Sequence, residues 1–269
     1  MKVQEITKRL FALGNKERAA VSQRFFKTGP GEYGEGDIFL GIKVPVLRKL
    51  AKEYFDLSLE EVNIILGSIF HEERLLALFI MVHQFARGDR KKKKIIYELY
   101  VKNTGFINNW DLVDSSAPHI VGPYLMTKSK APLYKMARSD LLWERRIAIM
   151  STFHYIKNDK FNDTLKIAGR LISDEEDLIH KAVGWMLREI GKRHLPSEEN
   201  FLKKHYQKMP RTMLRYAIEK FPEPKRQRYL KGQIWLRIHL EGGNINMMKQ
   251  YLNLIFIFGL IFIFACAGT

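Results

Sequence analysis

The sequence predicts an all-α superhelix of stacked helix pairs. Three observations carry this. Strand-like alternation of apolar and polar residues is scarce, and no Asn-Gly or Asp-Gly hairpin turn occurs. Apolar residues recur at helical spacing along most of the chain. Similar segments also return with a near-constant period: ERLLALFIM from Glu73, WDLVDSSAPHIVG from Trp110, ERRIAIMST from Glu144, HKAVGWMLREI from His180 and RYAIEKF from Arg215, at steps of 37, 34, 36 and 35 residues.

A period of this length marks helix pairs that cannot bury their apolar faces alone and stack into a solenoid. The TPR and ankyrin signatures are absent, which leaves HEAT-like units; a plain bundle of amphipathic helices is the simpler alternative. Composition sets the outer limits. The 269 residues contain 45 Lys+Arg against 29 Asp+Glu, a net charge of +16, with 46 % hydrophobic and 28 % charged residues. These are globular values and exclude wholesale disorder. A single cysteine, Cys266, excludes a disulfide framework and a thiolate metal cluster. A pI of about 9.8 points to a polyanionic partner, and a basic concave solenoid face suits a nucleic-acid duplex.

Taken in order, the N-terminus reads as an amphipathic helix with Ile6, Leu10, Phe11 and Leu13 at helical spacing, not as a signal peptide. The glycines of GPGEYGEGD, at 29, 31 and 34, match a dinucleotide fingerprint by letter only. A helix precedes them, and Glu32, Glu35 and Asp37 would repel a pyrophosphate, so the segment reads as a tight acidic loop. Ser58-Leu59-Glu60-Glu61 and Ser173-Asp174-Glu175-Glu176 read as capping boxes, and Ser197-Glu198-Glu199 as a third helix start. The run Arg90 to Lys94 reads as a solvated helix start or loop.

Three segments carry candidate chemistry. NNWDLVDSSAP sets Asp111 and Asp114 one helical turn apart beside Trp110, which a capping acid and a core tryptophan would also explain. WERRIAI places Trp143, Glu144, Arg145 and Arg146 in one turn, which an exposed salt-bridged turn would also explain. KAVGWMLREIGKR puts Lys181, Trp185, Arg188 and Lys192 on one face, where a core stripe would be apolar; cations flanking an aromatic suit a nucleic-acid backbone. The histidines show no metal-ligand spacing, and no P-loop or nucleophile elbow occurs. Neither a metal nor a cofactor is expected.

From about residue 5 to 230 the chain resembles the AlkD-like DNA alkylation repair glycosylases, which are built from HEAT-like repeats. FLGIKVPVLRKL (39–50), WDLVDSSAP (110–118), WERRIAI (143–149) and KAVGWMLREIGK (181–192) carry the resemblance, in order and in register. It implies excision of cationic N3- and N7-alkylated purines from duplex DNA, with the damaged base left in the stack. It further implies Asp114 as the central carboxylate, Trp110 and Trp185 as sugar contacts, Arg146 as a catalytically important arginine and Arg188 as a DNA contact. Lys43, Arg145, Lys181 and Lys192 join the expected DNA contacts. So does Phe25, which stands where some members carry a tyrosine. The acidic loop belongs to a subset of relatives, and some relatives only bind DNA.

The expected reaction is hydrolysis of the N-glycosidic bond, in which Arg146 and Arg188 clamp phosphates and no lysine acts as a Schiff-base nucleophile. The alternatives are a non-catalytic HEAT module that binds bent, branched or damaged DNA, and a protein-interaction scaffold. The working domain is expected over residues 1–232, in the cytoplasm and as a monomer, with duplex DNA containing alkylated bases as partner. Residues 233–269 form a hydrophobic tail without counterpart in the family. From Tyr251 the tail is uncharged, with about 16 apolar residues against the ~20 of a membrane-spanning helix. It reads as a junction artefact or read-through, as a tail anchor that alone would bring in a membrane, or as a packed terminal helix.

Overall fold

A computed structural model describes residues 2–234. The tail expectation therefore lies almost wholly outside the described residues. Among those residues the fold is all helical, apart from one isolated bridge between Ile38 and Phe70.

The chain opens with α1 (Lys2–Leu13) and α2 (Lys16–Phe25), followed by the glycine-rich loop and α3 (Val44–Glu53). Helix pairs come next: α4 (Leu59–Leu66) with α5 (His71–Arg87), α6 (Arg90–Lys102) with α7 (Trp110–Leu125), and α8 (Ala131–Met136) with α9 (Leu142–Ser151). The short α10 (Phe153–Ile156) leads into α11 (Asn162–Arg170) with α12 (Asp177–Gly191), then α13 (Leu195–His205) with α14 (Arg211–Ala217), and α15 (Glu223–Leu230) closes the described chain.

All five recurring segments fall on the second helix of a pair. α5 packs on α7, α7 on α9, α9 on α12 and α12 on α14, while α4, α6, α8, α11 and α13 each cover a partner in that row. The result is the expected HEAT-like solenoid: a continuous inner row with an outer row laid over it. The inner helices are therefore buried over far more than one stripe. In α7, Leu112, Val113, Ser116, Ala117, Ile120, Val121 and Leu125 are all buried.

Close approach along the row depends on glycine. A Cβ on Gly122 would lie 2.8 Å from the Cβ of His154, and one on Gly184 would lie 2.5 Å from both the Met213 carbonyl oxygen and the Tyr216 Cβ. Both glycines belong to recurring segments, and both let the next turn of helix sit against bare backbone.

The first predicted capping box is present: the Ser58 hydroxyl accepts from the Glu61 N–H, and the Glu61 carboxylate accepts from the Ser58 N–H. The second is not. Helix α12 begins after Glu176, and Asp174 is instead drawn to Arg145 and to the Glu176 N–H. The third start shifts too. His194 caps α13, accepting from the Ser197 N–H, which places Ser197 inside the helix. Glu198 is then no surface acid. It is 1 % exposed beneath Gly191, and burial pushes its carboxyl up to about 8.

Candidate nucleic-acid interface

The site is built from the first turns of the inner helices. Helix α7 is capped by Asn109, whose side chain accepts from the Trp110 N–H at 2.8 Å, so the cap is an asparagine and not one of the two aspartates. Trp110 then follows at the helix start, half-buried instead of sunk in the core. Phe26 stacks on it at 5.2 Å, Phe39 on Phe26 at 4.9 Å and His71 on Phe39 at 4.3 Å. Phe25, 64 % exposed, meets the edge of Trp110 at 6.1 Å.

His71 anchors this stack. Its Nδ1 lies 2.9 Å from Asp37 Oδ2 and its Nε2 lies 2.8 Å from Asp111 Oδ2. Burial opposes a charge on the ring, but the two carboxylates outweigh it and raise the imidazole to about 9, so it donates to both. Burial likewise works against Asp37. Bonds from His71, Arg74 and Asn109 overcome that and hold its carboxyl below the usual range. Asp111 therefore fixes α7 to α5 and to the loop that ends at Asp37.

One turn further, Asp114 receives a fork from α9. Arg146 Nε donates to Oδ1 at 2.9 Å and Nη2 to Oδ2 at 2.8 Å. Arg146 Nη1 donates to the Leu178 carbonyl in α12 at 2.5 Å. Arg146 is 5 % exposed, so WERRIAI is not an exposed turn at this position. Three of its N–H groups are thus committed to internal partners, and the side chain ties α7 and α12 to α9. The Asp114 side chain remains 16 % exposed. Burial raises its carboxyl above the ordinary value, with Arg146 opposing. Arg145 is also tied down, by Asp174 at 2.7 Å and by the Ser139 and Asp140 carbonyls.

On α12 the predicted face is formed, but its cations are partnered. Lys181 pairs with Asp177 at 2.7 Å, Lys192 with Glu189 at 2.6 Å, and Arg188 with Glu219. Glu189 also accepts from the Trp185 indole N–H at 3.1 Å, while the ring packs 6.0 Å from Phe153. The half-exposed indole is thus fixed from both sides. Lys43 is exposed at the start of α3.

The sequence profile described as DNA alkylation repair enzyme matches residues 6–221. The chain belongs to that family. Its role is accordingly in DNA alkylation repair, and the face just described belongs to a DNA alkylation repair protein. A solved structure of a predicted DNA alkylation repair enzyme from Enterococcus faecalis is similar at a TM-score of 0.62 and 18 % identity, covering 77 % of this chain and 96 % of that one. That likeness shows the fold. AlkD2 from Streptococcus mutans is also similar, at a TM-score of 0.48 and 18 % identity, over 77 % of this chain and 98 % of that one. No curated protein sequence matches the chain.

Among the described residues of this repair protein, no group of three His, Cys, Asp or Glu side chains could hold a metal ion, and no helix is long and apolar enough to cross a membrane. His71 and Glu189 are site-supporting residues that sequence reasoning did not single out, and Asp37 was read only as an acid of the tight loop. His71 was one histidine among several without ligand spacing, and its partners lie 34 and 40 residues away.

Proposed function

We propose that this protein hydrolyses the N-glycosidic bond of cationic N3- or N7-alkylated purines in duplex DNA and leaves an abasic site. The observation that carries the proposal is the Asp114 carboxylate, oriented by both donors of the Arg146 fork and still partly open to solvent. A pure binder of phosphates has little use for an anion held at its DNA face.

The chemistry needs little else. An alkylated purine already bears a positive charge, so it leaves as a neutral base without a general acid. Cleavage of the C1′–N bond develops positive charge on the deoxyribose, as in glycoside hydrolysis. Asp114 stabilises that charge and orients the water whose oxygen bonds to C1′ and whose proton is released. Trp110 lies one turn before Asp114 on the same side of α7. Trp185 lies two turns into α12, the helix whose first turn accepts from Arg146. Their faces hold the sugar, each contact contributing ~0.5–2 kcal/mol. Arg146 acts through Asp114 as a positioning residue. Lys181, Arg188, Lys192, Phe25 and Lys43 face the backbone, the three cations of α12 through ion pairs that phosphates exchange into. No lysine takes part as a nucleophile, so the strand stays intact.

The test is chromatography of free 7-methylguanine and 3-methyladenine after incubation with methylated duplex DNA. The wild type is expected to release both. Asp114→Asn is expected to lose most release while keeping DNA affinity. Tight, salt-sensitive binding without release by either protein would make the site a recognition surface for damaged DNA.

A further inference from the structure

The glycine-rich loop is not a passive connection. It leaves α2 at Phe26 and is closed on itself by backbone bonds: Gly34 N–H to the Lys27 carbonyl at 3.0 Å, Glu35 N–H to Glu32 at 3.0 Å and Asp37 N–H to Gly34 at 3.0 Å. Its acids do not simply face solvent. Glu32 accepts from the Gly29 N–H at 2.9 Å and Glu35 from the Gly31 N–H at 2.9 Å, so each carboxylate braces the loop that carries it. Gly31 and Gly36 take left-handed backbone angles that glycine adopts without strain. Gly34 is buried where a Cβ would lie 2.5 Å from the Phe26 carbonyl oxygen. The far end is held by Asp37, itself bound to His71, Arg74 and Asn109.

What this frame presents is Tyr33. Its ring meets Trp143, at the start of α9, at 6.1 Å and 73°. Its hydroxyl lies 3.5 Å from the Phe25 carbonyl. Burial raises the hydroxyl's pKa, while the Trp110 indole and the Lys181 ammonium act in the opposite direction. A residue from the N-terminal part of the chain thus packs on Trp143 at the start of α9 and, beside Phe25, next to Trp110 at the start of α7.

We infer that loop 28–37 is a fixed arm of the DNA site and that Tyr33 contacts the sugar–phosphate backbone of the lesion strand, its ring against a deoxyribose and its hydroxyl donating to a phosphate oxygen. This rests on the reading of the face as a duplex site. A strand held against Trp110 and Phe25 meets the tyrosine whose hydroxyl lies beside the Phe25 carbonyl. The arm is rigid before binding, so little conformational freedom is lost when the strand arrives. A hydrogen bond to a charged phosphate and a packed ring are separable contributions, which gives two variants with different expected losses.

The experiment measures affinity of the full chain for a fluorescent duplex carrying a tetrahydrofuran abasic-site analogue, by anisotropy over a salt series. This probe needs no base release. Tyr33→Phe is expected to weaken binding roughly two- to tenfold. Tyr33→Ala is expected to weaken it further, and both variants should keep the wild-type melting transition. In single-turnover release of 7-methylguanine the loss for Tyr33→Phe should appear in the DNA concentration needed, with the maximal rate kept. Wild-type affinity in both variants, alongside weakened binding by Trp110→Ala, would overturn the role of Tyr33 and leave the duplex site standing. Tighter binding by Tyr33→Ala would also overturn it, because the arm would then be a shield. A wild type with no salt-dependent duplex affinity would overturn the site and the arm together. Should Tyr33→Ala fail to fold, Tyr33→Phe decides alone.

Discussion

Arg146 meets Asp114 with two parallel N–H donors, at 2.9 and 2.8 Å, and commits its remaining terminal nitrogen to the helix beyond. One side chain thereby sets the carboxylate's orientation, favours its charge and joins three successive inner helices.

Removing that side chain has a directional consequence. Burial raises the Asp114 carboxyl and Arg146 opposes it, so without the guanidinium the pKa rises further. At any given pH below that value less of the carboxylate is ionised, and the acid limb of a pH–rate profile moves to higher pH. Arg146→Ala is expected to lose stability by about 3–5 kcal/mol, the usual result of stripping one partner from a buried pair. Arg146→Lys keeps the charge without the fork and should retain part of the rate, with a smaller displacement of the limb. Methylpurine release between pH 5 and 9 checks both; an acid limb unmoved in Arg146→Lys and Arg146→Ala would detach Arg146 from Asp114's titration.

His71 gives a pH-dependent stability of known sign. Its imidazole is raised from 6.5 to about 9 in the folded chain. The stabilisation is fully present below the unfolded value, near pH 6.5, and is lost as pH rises through about 9. The difference corresponds to on the order of 3 kcal/mol. Urea unfolding at pH 6.5 and 9.5 should show the wild type losing a large part of this. His71→Gln should be less stable at pH 6.5 and should show a much flatter dependence. Equal slopes for the two proteins would mean that the imidazolium does not hold the Asp37–Asp111 junction.

The close approach of inner helices predicts a contrast between two glycines. Gly184→Ala sets a methyl group 2.5 Å from the Met213 carbonyl and the Tyr216 Cβ, so α12 and α14 must separate. A loss of about 1–3 kcal/mol is expected. Gly169→Ala in α11 meets only a Phe201 ring carbon at 3.9 Å, and should gain up to about 1 kcal/mol through helix propensity. Thermal melts of the two variants check the contrast.

The repeat was legible because burying inner helices forces the same apolar pattern every 34–37 residues, whereas Trp110, Asp114, Arg146 and Trp185 were assigned through the motifs that carry the family resemblance, since a capping acid, a core tryptophan or a salt-bridged turn also fitted the local sequence. The pairing of Arg146 with Asp114 was not legible, since a charge in WERRIAI reads the same whether it faces solvent or a carboxylate 32 residues away. The same holds for Ser173: its local capping pattern is intact, but Arg145 draws Asp174 away and the helix starts three residues later than the pattern implies. The GPGEYGEGD segment read as no more than a tight acidic loop because its fixing points, His71 and Arg74, lie more than thirty residues further on.

The ties along the inner row also fix helix polarity. His71 is the first residue of α5, Asp111 the second of α7, Arg146 the fifth of α9 and Leu178 the second of α12, so four helix beginnings stand side by side. Aligned peptide dipoles leave about half a positive charge at each such end. The edge of the solenoid therefore holds a positive field generated by backbone alone, in register with the carboxylates that sit on it. Neutralising every surface lysine would leave that field in place.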